Sequence, residues 1–327
     1  MPAIAEVPEV AQQFTLEAFL SSPGTDAPPF LISGVFPGRS VTLLTAQPGS
    51  GKSMIGMAML LAIARGEPFA GLETKRSPVI YVGEDSARWD YAGIARKFLG
   101  DGSCPPEFFA RIREGFRLDD SRKRSELRDF ARAIGARGIV LDSLRSVHSK
   151  DENKSDEMQE VMEAARDLAE STEAGILLIH HPSKPNATGH GSEFRGSSVI
   201  LASCDFHLNL KSTKPKGQPA RALSVTFEKG RCAETPDQLQ LLMTWGSDWA
   251  RIEADDTAEF VLEMLLEQGQ SNAATMAKAL GERRDRSEST ARKAVDQALK
   301  TLETGDIVWK EGDKKNGYLW SLKPSRN

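Results

Sequence analysis

Four short, predominantly apolar runs recur between residues 41 and 179, near 41–44, 79–82, 138–141 and 175–179. None alternates with polar residues, as a strand with one wet face would. Unbroken runs of this length fit strands buried on both faces, the habit of parallel sheets. Between them lie stretches with helical spacing: residues 54–64, 87–99, 125–136 and the amphipathic 155–172. Strand and helix in alternation predict a mostly parallel sheet covered on both sides, an α/β fold. A short helix near 197–202 and further β-like runs at 206–210, 223–228 and 239–245 extend the pattern.

The texture changes near residues 246–256. A predicted helix over 257–268 buries Phe260, Val261, Met264 and Leu265, and a second, 272–280, closes at Gly281. A third, 289–304, sets Ala294, Val295, Ala298, Leu299 and Leu302 at helical spacing. A strand at 307–310, a Gly-Asp-Lys-Lys-Asn-Gly loop and a strand at 318–322 follow. Three helices and a hairpin are the layout of a small α+β winged helix-turn-helix. The chain therefore divides into a Pro- and Glu-containing arm at 1–25, an α/β core at 26–250 and a winged helix at 251–327.

Composition narrows the partners. At 327 residues the chain is large for one core and sufficient for two. A formal net charge of −4 excludes a strongly basic overall field, so any nucleic-acid contact must come from local basic surfaces. Cys104, Cys204 and Cys232 are widely spaced and include no CxxC pair, which argues against a disulfide framework or a zinc site. The opening Met-Pro-Ala-Ile-Ala-Glu lacks a basic region and an apolar core, and the apolar stretch 54–64 is too short to span a bilayer. A cytoplasmic protein without a membrane partner is the expectation.

The chemistry starts at Ala46, Gln47, Pro48, Gly49, Ser50, Gly51, Lys52 and Ser53, between the first strand and the first helix of the core. Small residues in a strand–turn–helix let backbone N–H groups converge on an anion, a phosphate cradle. Lys52 would neutralise the β- and γ-phosphates of ATP, and the Ser53 hydroxyl would ligate Mg²⁺. Ala46 stands where the full motif has glycine, so that position must keep an ordinary negative φ. Ligand residues in such folds gather at the carboxyl ends of strands. Asp142 ends one strand, as a second Mg²⁺ ligand would. Glu84, just past another, is favoured as the acid that orients and deprotonates water, with Asp85 a rival. His180 and His181 follow a strand as well. The loop 182–196 after them, with Lys184 and His190, is long for a passive connection.

Five segments then carry a specific resemblance: Gln47-Pro-Gly-Ser-Gly-Lys-Ser53, Val79-Ile-Tyr-Val-Gly-Glu-Asp-Ser86, Ile139-Val-Leu-Asp-Ser-Leu-Arg145, Ile179-His-His-Pro-Ser-Lys184 and Phe194-Arg-Gly-Ser-Ser-Val199. In order and spacing the chain resembles RecA-like ATPases of the plasmid RepA replicative-helicase type, related to DnaB-type hexameric helicases. The resemblance implies a RecA-like P-loop core and a homo-oligomeric ring, usually of six, with ATP between neighbours and single-stranded DNA in a central channel. It implies Glu84 as catalytic carboxylate, Asp142 as Walker B acid and His181 as phosphate sensor. Arg195, or Lys229 with Arg231, would be the finger reaching a neighbour's ATP, against the alternative that Lys229 and Arg231 form a basic hairpin end. Lys184 would face the DNA channel. The given sequence shows neither the fused primase nor the helical collar typical of DnaB-type helicases, so ATP hydrolysis is the firmer expectation and unwinding the weaker; a primase or initiator is a partner the resemblance implies.

In the C-terminal module Arg286, Arg292 and Lys293 flank or open the third predicted helix, and Lys314 and Lys315 line the wing, a layout suited to duplex DNA. Acidic residues nearly balance them, and winged helices also dock proteins. Three functions remain open here, the first two being a DNA-translocating helicase and an ATP-switched DNA-binding initiator or regulator. A recombinase-like filament or loader is the third reading.

Overall fold

The computed structural model describes residues 15–22, 25–181, 198–213, 220–230, 235–284, 291–292, 295–296, 298–300, 303, 308–313 and 317–322. The chain forms two compact units, Met1–Glu253 and Ala254–Asn327.

In the first unit, helix α1 (Leu16–Leu20) and strands β1 (Phe30–Ile32) and β2 (Phe36–Pro37) precede the core. The core runs β3 (Val41–Thr45), α2 (Lys52–Arg65), β4 (Val79–Gly83), α3 (Arg88–Leu99), β5 (Phe108–Ile112), α4 (Ser121–Ile134) and β6 (Gly138–Asp142). It continues through α5 (Ser155–Thr172), β7 (Gly175–His180), α6 (Ser198–Ser203), β8 (Phe206–Thr213), β9 (Ala220–Lys229), β10 (Gln238–Trp245) and β11 (Ala250–Ala254). A nine-stranded sheet takes the order β11-β10-β9-β8-β3-β7-β6-β4-β5. From β8 to β5 neighbouring strands are parallel, while β9 pairs antiparallel with β8 and β10.

The apolar runs are buried on both faces, as their lack of alternation requires. Leu44, Val79, Tyr81, Val140, Leu177 and Ile179 join the cluster that packs α2 and Tyr91 of α3. Their strand neighbours Leu43, Ile80, Val82, Ile139, Leu141 and Leu178 join a second cluster with α4 and α5. Adjacent residues alternate between the two cores.

Two elements differ from the sequence expectation. The helix expected at 125–136 begins four residues earlier, because the Asp120 carboxylate accepts the N–H groups of Arg122 at 2.9 Å and Lys123 at 3.1 Å and caps it there. It ends where Gly135 turns left-handed at φ 68°. Strand β5 carries no unbroken apolar run, because it closes one edge of the sheet and is only half buried.

The second unit holds α7 (Thr257–Gln268), β12 (Gln270–Asn272), α8 (Ala273–Arg284), β13 (Val308–Asp313) and β14 (Gly317–Leu322). The described residues at 291–292, 295–296, 298–300 and 303 are helical. The strands form an antiparallel sheet in the order β12-β14-β13. Phe260, Val261, Met276, Leu280, Val295, Leu299 and Trp320 share a core of this unit's own.

Candidate nucleotide site

Strand register brings the site together. Thr45 lies opposite His180, Asp142 opposite Ile179, and Gly83 opposite Asp142, so the carboxyl ends of β3, β7, β6 and β4 stand side by side. The phosphate-cradle turn leaves β3 at this end and enters α2.

Gly49 and Gly51 adopt φ of 74° and 100°, which a Cβ would strain, and so curl the turn back on itself. Ala46 is buried in the core and is not among the described non-glycine residues with positive φ. The Lys52 ammonium donates to the carbonyls of Ala46 at 2.6 Å and Gln47 at 3.0 Å, and Ser50 Oγ donates to Gln47 O at 2.7 Å. Burial pulls the Lys52 pKa from 10.5 down to about 8, against the opposing charges of Asp142 and Asp85. Strands β9 and β10 buttress the turn from below. The Arg221 guanidinium donates to the Gly49 carbonyl and lies 5.8 Å from the centre of the Trp245 ring. A Cβ on Gly51 would stand 3.0 Å from Met243 Cε.

Asp142 is 1% exposed. Tyr81 donates its phenol to Oδ2 at 2.6 Å, whereas Oδ1 is buried with no hydrogen-bond partner. Burial raises the pKa of this carboxyl, and the Tyr81 phenol and Ser53 hydroxyl hold it down. A buried, orphaned carboxylate oxygen beside a serine hydroxyl fits a hard cation that completes its shell with substrate phosphates. Among the described residues no group of three or more His, Cys, Asp or Glu is arranged to hold a metal by itself.

Glu84 lies just past the end of β4. It is 5% exposed, and its Oε1 accepts the backbone N–H groups of Glu114 and Phe116, both at 3.0 Å. Its main-chain carbonyl accepts Arg113 Nη1 at 2.6 Å. Asp85 Oδ2 lies 3.6 Å from His181 Nε2. The His181 ring holds Asp85 below the usual carboxylate range, helped by Ser143 and Lys52.

His180 is buried, its Nδ1 lacks a hydrogen-bond partner, and burial lowers its pKa to about 4. Glu152 works against that shift. Glu152, in the segment after Asp142, is close enough to His180 for their charges to interact, and its Oε1 is 3.7 Å from His148 Nε2.

Lys229 donates to the carbonyls of Leu201 at 3.2 Å, Ala202 at 2.8 Å and Cys204. A cation on the open carbonyls of a helix end is locally favourable, so this side chain acts on α6 of its own chain rather than projecting outward. In the second unit Arg292 pairs with Asp296 at 3.1 Å, Arg283 with Glu263 at 2.9 Å and Lys310 with Glu303 at 3.0 Å. Lys184, Arg195, Arg231, Arg286, Lys293, Lys314 and Lys315 lie outside the described residues.

Sequence reasoning missed Tyr81 and Tyr91. The signal for Tyr81 was present, since it is the polar-headed residue in an otherwise apolar run. Tyr91 was hidden in a helix. Its hydroxyl accepts the N–H groups of Asp85 and Ser86, both at 3.2 Å, and donates to the Asp142 carbonyl at 3.3 Å. A Cβ on Gly83 would come within 2.7 Å of the Tyr91 ring, so glycine there admits the tyrosine.

No helix among the described residues is long and apolar enough to cross a membrane. A family model described as an AAA domain (AAA_25) matches residues 6–187, more than half of the chain and the whole stretch from the phosphate cradle to His181. The chain thus belongs to the AAA-domain family and is a P-loop ATPase of the RecA/AAA class.

Proposed function

We propose that the protein is an ATP-driven, ring-forming DNA motor, a replicative DNA helicase whose ATP is hydrolysed between subunits. The observation that carries it is the gathering of Lys52, Asp142, Asp85 and His181 at one sheet end, within a chain whose motif order resembles the RepA-type helicases. Those groups suit hydrolysis rather than storage of a nucleotide. The P-loop amides would take the phosphates, and Lys52 would exchange its two carbonyls for phosphate oxygens. Ser53 and Asp142 would hold Mg²⁺, which when bound neutralises charge on the β- and γ-phosphates. His181 would report the state of the γ-phosphate to the loop that contains Lys184.

In this reading residues 26–250 are the motor and 251–327 a winged helix that contacts duplex DNA through Arg286, Arg292, Lys293, Lys314 and Lys315. With Lys229 engaged on α6, either Arg195 or Arg231 would be the finger that completes a neighbour's site. A trans arginine supplies roughly 10³–10⁵ in rate. Single-stranded DNA would run through the channel of a hexamer, and a primase or initiator would be a separate partner. A second reading draws on the separate core of the unit 254–327: an ATP-switched initiator in which ATP sets assembly and no strand is unwound.

ATP turnover with and without single-stranded DNA, for wild type and Lys52→Ala, tests the proposal. DNA-stimulated turnover abolished by the substitution is expected. Near-normal turnover in Lys52→Ala would refute the site, and a lack of stimulation would refute the motor.

A further inference from the structure

The carboxylate of Glu84 sits in a cradle made of main chain. Arg113 and Gly115 adopt left-handed φ of 59° and 70°, and the curl turns the N–H groups of Glu114 and Phe116 to one side. Backbone amides gathered by such turns form an anion nest. Both donate to the same oxygen, Glu84 Oε1, at 3.0 Å. The other oxygen, Oε2, has no hydrogen-bond partner among the described residues. A carboxylate gripped at one oxygen is fixed in rotation and keeps the second oxygen for water. Arg113 holds its own unusual conformation by donating its N–H to the Gly83 carbonyl at 2.9 Å and Nη1 to the Glu84 carbonyl at 2.6 Å.

The far side of the nest is anchored as well. Phe116 and Leu118 are buried in one core with Val147. The Leu118 N–H donates to the Val147 carbonyl at 2.6 Å, and Arg117 Nη1 donates to the carbonyls of Phe116 and Ser146. Asp119 Oδ2 accepts the Ser149 N–H at 3.1 Å and the Ser149 hydroxyl. Residues 116–119 therefore run as a strap between Glu84 and the segment that starts at Asp142. Gly115 is where the nest can be perturbed cleanly. A Cβ there would meet nothing within 4 Å, so only the positive φ resists a side chain.

We propose that the amide nest at residues 113–116 positions Glu84 for hydrolysis, with Oε1 held and Oε2 offered to the attacking water, and that residues 116–119 keep the nest in register with Asp142. Gly115 and Asp119 are positioning residues that act through Glu84. This role rests on the ATPase reading and on neither rings nor DNA.

The test uses the full chain, with kcat for ATP, affinity for a fluorescent non-hydrolysable ATP analogue, and thermal melting. Gly115→Ala is expected to lose roughly 10- to 100-fold in kcat at wild-type analogue affinity, as a base displaced by up to about an ångström would. Gly115→Asn should stay within about threefold of wild type, because asparagine accepts the left-handed region. Glu84→Gln should lose roughly 10²–10⁴ in kcat. In that background, read by single turnover, Gly115→Ala should cost less than about twofold more, since groups that act as a unit are not additive. If Gly115→Ala does not fold, Asp119→Ala takes its place, with about tenfold lost in kcat and again no further loss on Glu84→Gln. The nest is overturned if Gly115→Ala turns over within about threefold of wild type, if Gly115→Asn loses as much as Gly115→Ala, or if the loss persists in full on Glu84→Gln. Glu84→Gln turning over near the wild-type rate would overturn it too, by leaving no base to position. A wild-type chain without Lys52-dependent turnover would overturn the ATPase reading as well, whereas a Lys52-dependent enzyme that fails these tests overturns the nest alone.

Discussion

Raising the pH toward about 9 should weaken ATP binding, because the free protein then loses the Lys52 proton that the phosphates require. Lys52 is 3% exposed and held by two neutral carbonyls. Its pKa is about 8 when folded and 10.5 otherwise. The difference corresponds to ~3 kcal/mol, on the order of one cation desolvated without a full partner. Since the folded form releases its proton first, stability of the nucleotide-free protein carries that penalty below pH 8 and recovers it as pH rises toward 10.5. Bound phosphates would restore the higher pKa, so ATP binding takes up a proton once the free lysine has titrated. One unit above its pKa about one lysine in eleven is charged, which predicts about tenfold weaker binding near pH 9 than near pH 7. ATP is fully ionised through most of that range and does not supply the change. Titration of a fluorescent ATP analogue in Mg²⁺ at several pH values measures it, with Lys52→Arg as the control. Arginine stays protonated, so its affinity, though lower, should be flat with pH. Wild-type affinity constant within about twofold across the range, or an equal slope in Lys52→Arg, would refute the reasoning.

Tyr81→Phe removes the 2.6 Å bond to a buried carboxylate and should cost ~1.5–3 kcal/mol at neutral pH, lowering the melting temperature of the nucleotide-free protein by several degrees. The loss should shrink in acid, where the carboxyl is neutral; calorimetry at two pH values decides. Truncation after Glu253 should leave ATP turnover intact and weaken duplex binding, measured by fluorescence anisotropy. Unchanged duplex affinity would move residues 254–327 to a protein-docking role.

Much of the fold was legible because parallel strands buried on both faces leave a plain trace: unbroken apolar runs such as 138–141 and 175–179, each followed by a polar residue at the ligand end. The phosphate cradle was legible because its glycines have a conformational job that few other residues can do. The surroundings of Glu84 and Asp85 were not. Adjacent acids look alike in sequence, and only the folded chain sets the N–H groups of Glu114 and Phe116 against Glu84 and His181 against Asp85. Lys229 was ambiguous for a similar reason. A Lys-x-Arg after a strand suits an intersubunit finger, but the lysine is received by carbonyls of α6 and of Cys204 just after it, 25 to 28 residues earlier in the chain. Strand β12 was missed because three residues that pair only at a sheet edge carry almost no pattern.

The central claim is that the ATPase drives movement along DNA as an assembly. A strand-displacement assay with 5′- and 3′-tailed duplexes, run beside mass measurement of the protein with ATP and single-stranded DNA, tests it most directly. The account predicts a closed oligomer and ATP-dependent displacement from one tail polarity, both lost in Lys52→Ala. A protein that stays monomeric under these conditions and displaces neither substrate would contradict it.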